Sequence, residues 1–179
     1  MPVITHPWKS SKDPNDPLPV VTVLGPKHVQ ILSNASTDTD GAPNAPDIDP
    51  TGQVETSLRL SNGWLGEGEY VNSLVIPYFV LPGNWKEVTG IPCYLGDIAR
   101  LTYKTYTVYA IYADVGGVKR IGEASVCANQ ALGCDPWING KVRVGIPYGV
   151  YYDIIPGSAN LADTRTFDEI QAYGSSLFI

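Results

Sequence analysis

A chain of 179 residues with 44% hydrophobic and 17% charged residues has the composition of one globular domain long enough to bury a core. Its net charge of -6 argues against nucleic acid, which needs a basic surface, and suits a cationic substrate drawn to an acidic cleft. No apolar run approaches the ~20 residues of a membrane-spanning helix, so no membrane partner is expected.

The 18 Gly, 15 Pro and 11 Tyr, with many short Val/Ile/Tyr runs, favour a mainly β fold with frequent turns. Residues 1–17 read as an irregular N-terminal arm, because Pro2, Pro7, Pro14 and Pro17 interrupt regular ladders. That stretch lacks the apolar core of a signal peptide. Residues 18–179 read as a single domain. Val20 to Leu24 and Val29 to Ser33 are strands parted by Gly25-Pro26. Residues 34–53 hold little to bury and read as a long polar loop, of the length that is usually functional. Asp38, Asp40, Asp47 and Asp49 only partly match a calcium loop, so no metal is expected.

Leu58 to Leu60 is a short strand or turn, and a glycine-rich connection through Gly63, Gly66 and Gly68 follows. Tyr78 to Leu81 reads as a strand that Pro77 confines to an edge or a strand start. Asp97 to Tyr103 and Tyr106 to Ala113 form a hairpin across Lys104. The second of these alternates strictly, with Tyr106, Val108, Ala110 and Tyr112 on one face and Thr107, Tyr109, Ile111 and Ala113 on the other. It ends at Asp114 before a Gly116-Gly117 turn, and a short helix begins near Glu123 to Ser125. Lys141 to Ile146 and Gly149 to Ile155 are two further strands around Pro147. Thr166 to Glu169 fits a capping box that opens a C-terminal helix.

Asp114 and Glu123 are the strongest chemical pair, since glycosidic hydrolysis ordinarily uses one carboxyl as acid and another as base or nucleophile. Glu123, among Ile121, Gly122 and Ala124, has the apolar surroundings that keep a carboxyl protonated, whereas Asp114 beside glycines suits a solvated base. Trp8, Trp64, Trp85 and Trp137, with several tyrosines, could stack on sugar rings; core packing explains aromatics more often, but the loop-like contexts of the four favour exposed platforms. Tyr112 and Trp137 are assigned to substrate binding. Cys93, Cys127 and Cys134 lack zinc-site spacing and leave both one disulfide and free buried thiols open. No cofactor is expected.

Several ordered motifs carry a resemblance from about Ile31 to Ser158. They are Asp114-Val115-Gly116, Gly122-Glu123-Ala124-Ser125, Asp38-Thr39-Asp40-Gly41-Ala42-Pro43, Pro77-Tyr78-Phe79-Val80-Leu81-Pro82-Gly83, Leu95-Gly96-Asp97, Ala131-Leu132-Gly133 and Pro156-Gly157-Ser158. In these the chain resembles the family 75 glycoside hydrolases, the fungal-type chitosanases. It departs from the family pattern at Gly117, where Pro is frequent, and at Ser36, where many members carry Asp. The resemblance implies endo-hydrolysis of the β-1,4 bonds of chitosan or partly deacetylated chitin oligosaccharides with inversion. Glu123 would be the general acid, Asp114 the general base, and Asp38 and Asp40 the ligands of glucosamine ammonium groups. A secreted monomer without a cofactor is the matching expectation.

The Asp-x-Gly-Gly turn is also similar to one in the double-psi barrels of murein lytic transglycosylases, which use a single Asp. The fold class expected is therefore mainly β: a six-stranded double-psi-like β-barrel with additional strands and one or two short helices. A non-catalytic carbohydrate-binding or virion-surface module, or a single-Asp transglycosylase, is the alternative function on that barrel.

Overall fold

The computed structural model describes residues 1–10, 15–60 and 69–178. Pro14, Trp64 and the connection through Gly63, Gly66 and Gly68 lie outside these residues. In chain order the elements are β1 (Val3–Ile4), β2 (Val20–Gly25), β3 (His28–Asp38), α1 (Ala45–Ile48), β4 (Arg59–Leu60), β5 (Glu69–Tyr70), β6 (Tyr78–Pro82) and α2 (Trp85–Thr89). They continue with β7 (Ile98–Tyr103), β8 (Tyr106–Gly116), β9 (Glu123–Ser125), α3 (Val126–Ala131), β10 (Trp137–Ile138), β11 (Lys141–Val142), β12 (Ile146–Ile155) and α4 (Phe167–Leu177).

The main sheet runs β1-β2-β3-β12-β7-β8-β6-β9, and β9 returns to pair with β3. That pairing closes a six-stranded, double-psi-like barrel from β3, β12, β7, β8, β6 and β9, with β1 and β2 as added strands. The pairs β6–β8 and β3–β9 are parallel, and the remaining barrel pairs are antiparallel. Closure leaves no free barrel edge. Every barrel strand sends apolar side chains inward, among them Ile31, Phe79, Leu101, Ala110, Ala124 and Tyr152, and these form the main core. The opposite face of β6, β7 and β8 presents Tyr78, Val80, Ile98, Ile111 and Ala113, which α4 covers through Ile170. A third cluster joins Ala42, Ala45 and Ile48 to Val126 and Val142, with Trp137 at its rim.

Local signals account for much of this. The β7–β8 hairpin turns at Lys104, whose φ is 53°, and pairs Tyr103 with Tyr106. Thr166 caps α4 by accepting the Glu169 amide at 3.3 Å, while the Glu169 carboxylate accepts the Thr166 amide at 3.0 Å. Gly174 of α4 lies against the Tyr109 ring, where a Cβ would approach within 2.4 Å, so glycine lets the helix sit close on β8.

Other expectations are corrected. Residues 34–53 are not a polar loop with nothing to bury. β3 extends to Asp38, Asn34 and Thr39 are buried, and α1 adds Ala45 and Ile48 to a core. Asn34 can be buried there because its neighbours satisfy it: Ser33 Oγ donates to Asn34 Oδ1 at 3.0 Å, and Asn34 Nδ2 donates to Ser36 Oγ at 2.7 Å. Of the two places Pro77 allowed, β6 takes the strand start and not the edge, since it begins at Tyr78 and lies between β8 and β9 with all five residues buried. Pro77 falls one residue before it, and its carbonyl accepts the Ile111 amide at 3.1 Å. β12 runs through Pro147 as one strand, because the proline sits where the ladder to β3 breaks between Ile146 and Val150. Four short helices occur among the described residues rather than one or two. The arm also packs: β1 pairs with β2, and Trp8 is buried against Trp85. The three cysteines are free thiols.

Candidate active site

A cavity of about 290 Å³ opens where β3, β6, β8 and β9 converge, and Asp38, Asp40, Asp49, Asp114 and Glu123 line it. The register of three neighbouring strands places the two principal acids. Val80 of β6 stands opposite Asp114 of β8 on one side and Glu123 of β9 on the other. Two interstrand steps set the Asp114 and Glu123 Cα atoms about 10 Å apart.

A bulge fixes which way Asp114 faces. β6 and β8 pair Phe79 with Tyr112 but Val80 with Asp114, so Ala113 is the extra residue. Unbroken alternation would put Asp114 on the face of Tyr112. The bulge instead turns Asp114 outward to the cavity and leaves Tyr112 in the barrel, with its ring stacked on Phe79 at 5.7 Å. Tyr112 therefore does not line the cavity and is not a surface for sugar rings. Burial pushes its hydroxyl up to about 12. Trp137 is half-buried beside the cluster beneath α1 and also stands apart from the cavity. Trp8 and Trp85 are core residues stacked on each other at 5.5 Å, because the docked arm covers them.

Glu123 sits on the three-residue strand β9, not in the first turn of a helix. The residues around it explain the Gly-Glu-x-Ser spacing. Gly122 has a φ of 99°, and a Cβ there would stand 2.1 Å from Asn34 Oδ1. Ser125 ends β9 and caps α3: its Oγ accepts the Ala128 and Tyr78 amides, each at 3.1 Å, and donates to the Ile76 carbonyl at 2.9 Å. The glutamate is thus held between a tight backbone passage and a helix cap. Its Oε2 lies 3.1 Å from where a Cβ on Gly116 would be, so the glycine of Asp-x-Gly leaves room for the carboxyl.

Asp114 Oδ1 accepts two hydrogen bonds from Ser57, from the amide at 2.8 Å and the hydroxyl at 2.6 Å. The Ser57 hydroxyl in turn accepts the Val115 amide at 3.1 Å. Asp38 Oδ1 accepts the Asp40 amide at 2.9 Å, and Asp40 Oδ1 accepts the Gln53 amide at 2.7 Å. Tyr78 is buried beneath the loop and donates its hydroxyl to the Asp40 carbonyl at 3.0 Å. Ser57, Gln53 and Tyr78 are positioning residues that sequence reasoning missed. Tyr78 lay inside a recognised motif, but Ser57 and Gln53 carry no motif signal.

The electrostatics follow from crowding. Burial raises the Glu123 pKa, with Asp114 and Asp40 adding to the rise and Arg120 opposing it. Burial also raises Asp40, to about 6, against the Gln53 amide and with help from Asp114 and Asp49. Asp38 is raised well above the usual carboxylate range by burial and by Asp40. No lysine or arginine is among the described residues that line this cavity. Carboxylate oxygens of Asp38, Asp40 and Asp114 lie within 4.8 Å of one another. Such a group favours a cation among its oxygens, either an ammonium group of a ligand or a metal ion. Asp47, the remaining acid of the loop, does not line the cavity, and its carbonyl accepts from Lys141 Nζ.

Comparison with protein-family models gives no match, and comparison with curated proteins gives none.

Proposed function

We propose that the chain is a glycoside hydrolase of the chitosanase type, acting on the β-1,4 bonds of a glucosamine polymer with inversion. The observation that carries this reading is the register Asp114–Val80–Glu123, which sets two carboxyl-bearing residues across one strand in a cavity that no basic residue lines among the described residues. Inversion requires the two carboxyl groups to stand roughly 6.5–9.5 Å apart so that a water fits between base and sugar.

Glu123 is the general acid. Burial, with Asp114 and Asp40, raises its pKa, the direction that a proton donor to the leaving oxygen needs. Asp114 is the general base. Its carboxylate is oriented by Ser57, and it draws a proton from the water that attacks the anomeric carbon on the opposite face. Asp38 and Asp40 accept from the substrate's ammonium groups, whose positive charge offsets the repulsion among the acids. The resemblance to the family 75 glycoside hydrolases supports the same assignment. The presence of four clustered carboxyls favours it over a transglycosylase that needs one.

The test is incubation with highly deacetylated chitosan, following reducing ends by colorimetry and the first anomer by proton NMR. The expected result is new reducing ends that appear first as the α-anomer. Absence of new reducing ends would overturn the hydrolase reading, and a first-formed β-anomer would overturn inversion.

A further inference from the structure

The central cavity lies between two others. A larger hollow of about 470 Å³ shares Thr37, Asp49 and Thr51 with it, and a smaller one of about 270 Å³ shares Gly117 and Glu123. The two outer hollows have no lining residue in common, so they meet the central cavity at different walls. Glu123 lines both the central cavity and the smaller hollow, and Thr37, Asp49 and Thr51 line both the central cavity and the larger one.

The central cavity and the smaller hollow differ in charge. Five carboxyl groups and no basic residue line the centre among the described residues. The smaller hollow is lined by Lys119, Arg120 and Val118, and Val118 is 52% exposed. An ammonium group in the centre meets acids alone, whereas one in the smaller hollow meets Lys119 and Arg120 beside the single carboxyl of Glu123. An uncharged acetamido group escapes that repulsion, and its methyl has Val118 as an apolar wall.

The proposed hydrolytic roles, on which this inference rests, fix which sugar lies where. The general base Asp114 serves the sugar whose anomeric carbon is attacked, so that sugar occupies the centre. The general acid Glu123 stands at the boundary, where it protonates the leaving oxygen of the next sugar, which occupies the smaller hollow. We propose that Lys119 and Arg120 make the smaller hollow a subsite selective for an N-acetylated leaving sugar, so that the bond cut best joins a glucosamine to an N-acetylglucosamine.

The experiment digests a partly acetylated chitosan in ¹⁸O-water, which marks new reducing ends, and sequences the oligomers by tandem mass spectrometry. The wild type is expected to give new reducing ends that are glucosamine and new non-reducing ends that are N-acetylated, with the ratio of N-acetylated to free sugar at the latter about tenfold that of the starting polymer. Lys119→Glu/Arg120→Glu is expected to reverse the preference at the non-reducing end, and Lys119→Gln/Arg120→Gln to erase it. The ladder to Lys9 through the Lys119 carbonyl and the Ile121 amide uses backbone groups only, so both double variants keep it. The composition of the ends is the readout because Arg120 also acts on Glu123 and its loss changes the rate. Cleavage with non-reducing ends that match the bulk polymer, or ends unchanged by charge reversal, would overturn this subsite and leave the hydrolase reading standing. No cleavage of any chitosan would sink the hydrolase reading and the subsite with it.

Discussion

Asp97 and Asp153 are as deeply buried as any acids in the molecule, yet their surroundings are the reverse of those in the cavity. Asp97 is fully buried and accepts the amides of Tyr94 at 2.8 Å, Gly157 at 3.0 Å and Ala159 at 3.0 Å. Asp153 accepts from Gln30 at 2.8 Å and from Arg100 at 3.0 Å, and the His28 ring lies at 3.3 Å. Asp38, Asp40, Asp114 and Glu123 of the central cavity face one another, with the donors of Ser57, Asp40 and Gln53 supplying only part of what their oxygens can accept. Burial raises Asp97 as well, but the backbone amides of Tyr94, Gly157, Ala159 and Ser158 oppose the rise. Identical side chains therefore act as a clasp in one place and as a source of stored repulsion in the other. The difference lies in the count of donors, not in burial.

The largest expected effect comes from undoing the clasp. Asp97 joins two of the recognised motifs, since Leu95-Gly96-Asp97 binds the loop that follows Pro156-Gly157-Ser158. Asp97→Ala leaves three amides without their acceptor. It should cost about 3 kcal/mol, or roughly 6–12 °C in melting temperature by calorimetry. A loss below about 1 kcal/mol would remove the clasp from the account.

Neutralising a cavity acid should do the opposite, on a smaller scale. The Asp40 pKa is about 6 in the fold and 3.8 as a free side chain, so the folded state binds additional proton between those values. Stability from this group is present at low pH and falls as pH rises from about 4 to 6. Asp40→Asn keeps an oxygen to accept the Gln53 amide and removes the charge. After a discount for solvent screening, it should stabilise the protein at pH 7 by the order of 1 kcal/mol and flatten that slope in urea titrations. Destabilisation at pH 7 would show that the site is not repulsive.

The same contrast explains what the sequence disclosed. The β7–β8 hairpin and the Thr166 capping box were legible because each depends on residues only a few positions apart. Asp114 and Glu123 were legible through the glycines beside them, which the backbone passage and the carboxyl contact require. Tyr112 was misassigned because a bulge at Ala113 separates its face from that of Asp114, and alternation counted along one strand cannot register an added residue. Trp8 and Trp85 were misassigned for another reason: a proline-rich arm gives no periodic sign that it will dock and bury them. Ser57 reaches Asp114 across 57 positions, and only the closed barrel brings that pair together.

The most direct test of the central claim compares initial rates on highly deacetylated chitosan for the wild type, Glu123→Gln and Asp114→Asn, with the melting temperature of each. The account predicts that both variants lose at least about a hundredfold in rate while melting no lower than the wild type. Variants that cut chitosan at the wild-type rate, or that lose activity only because they unfold, would contradict it.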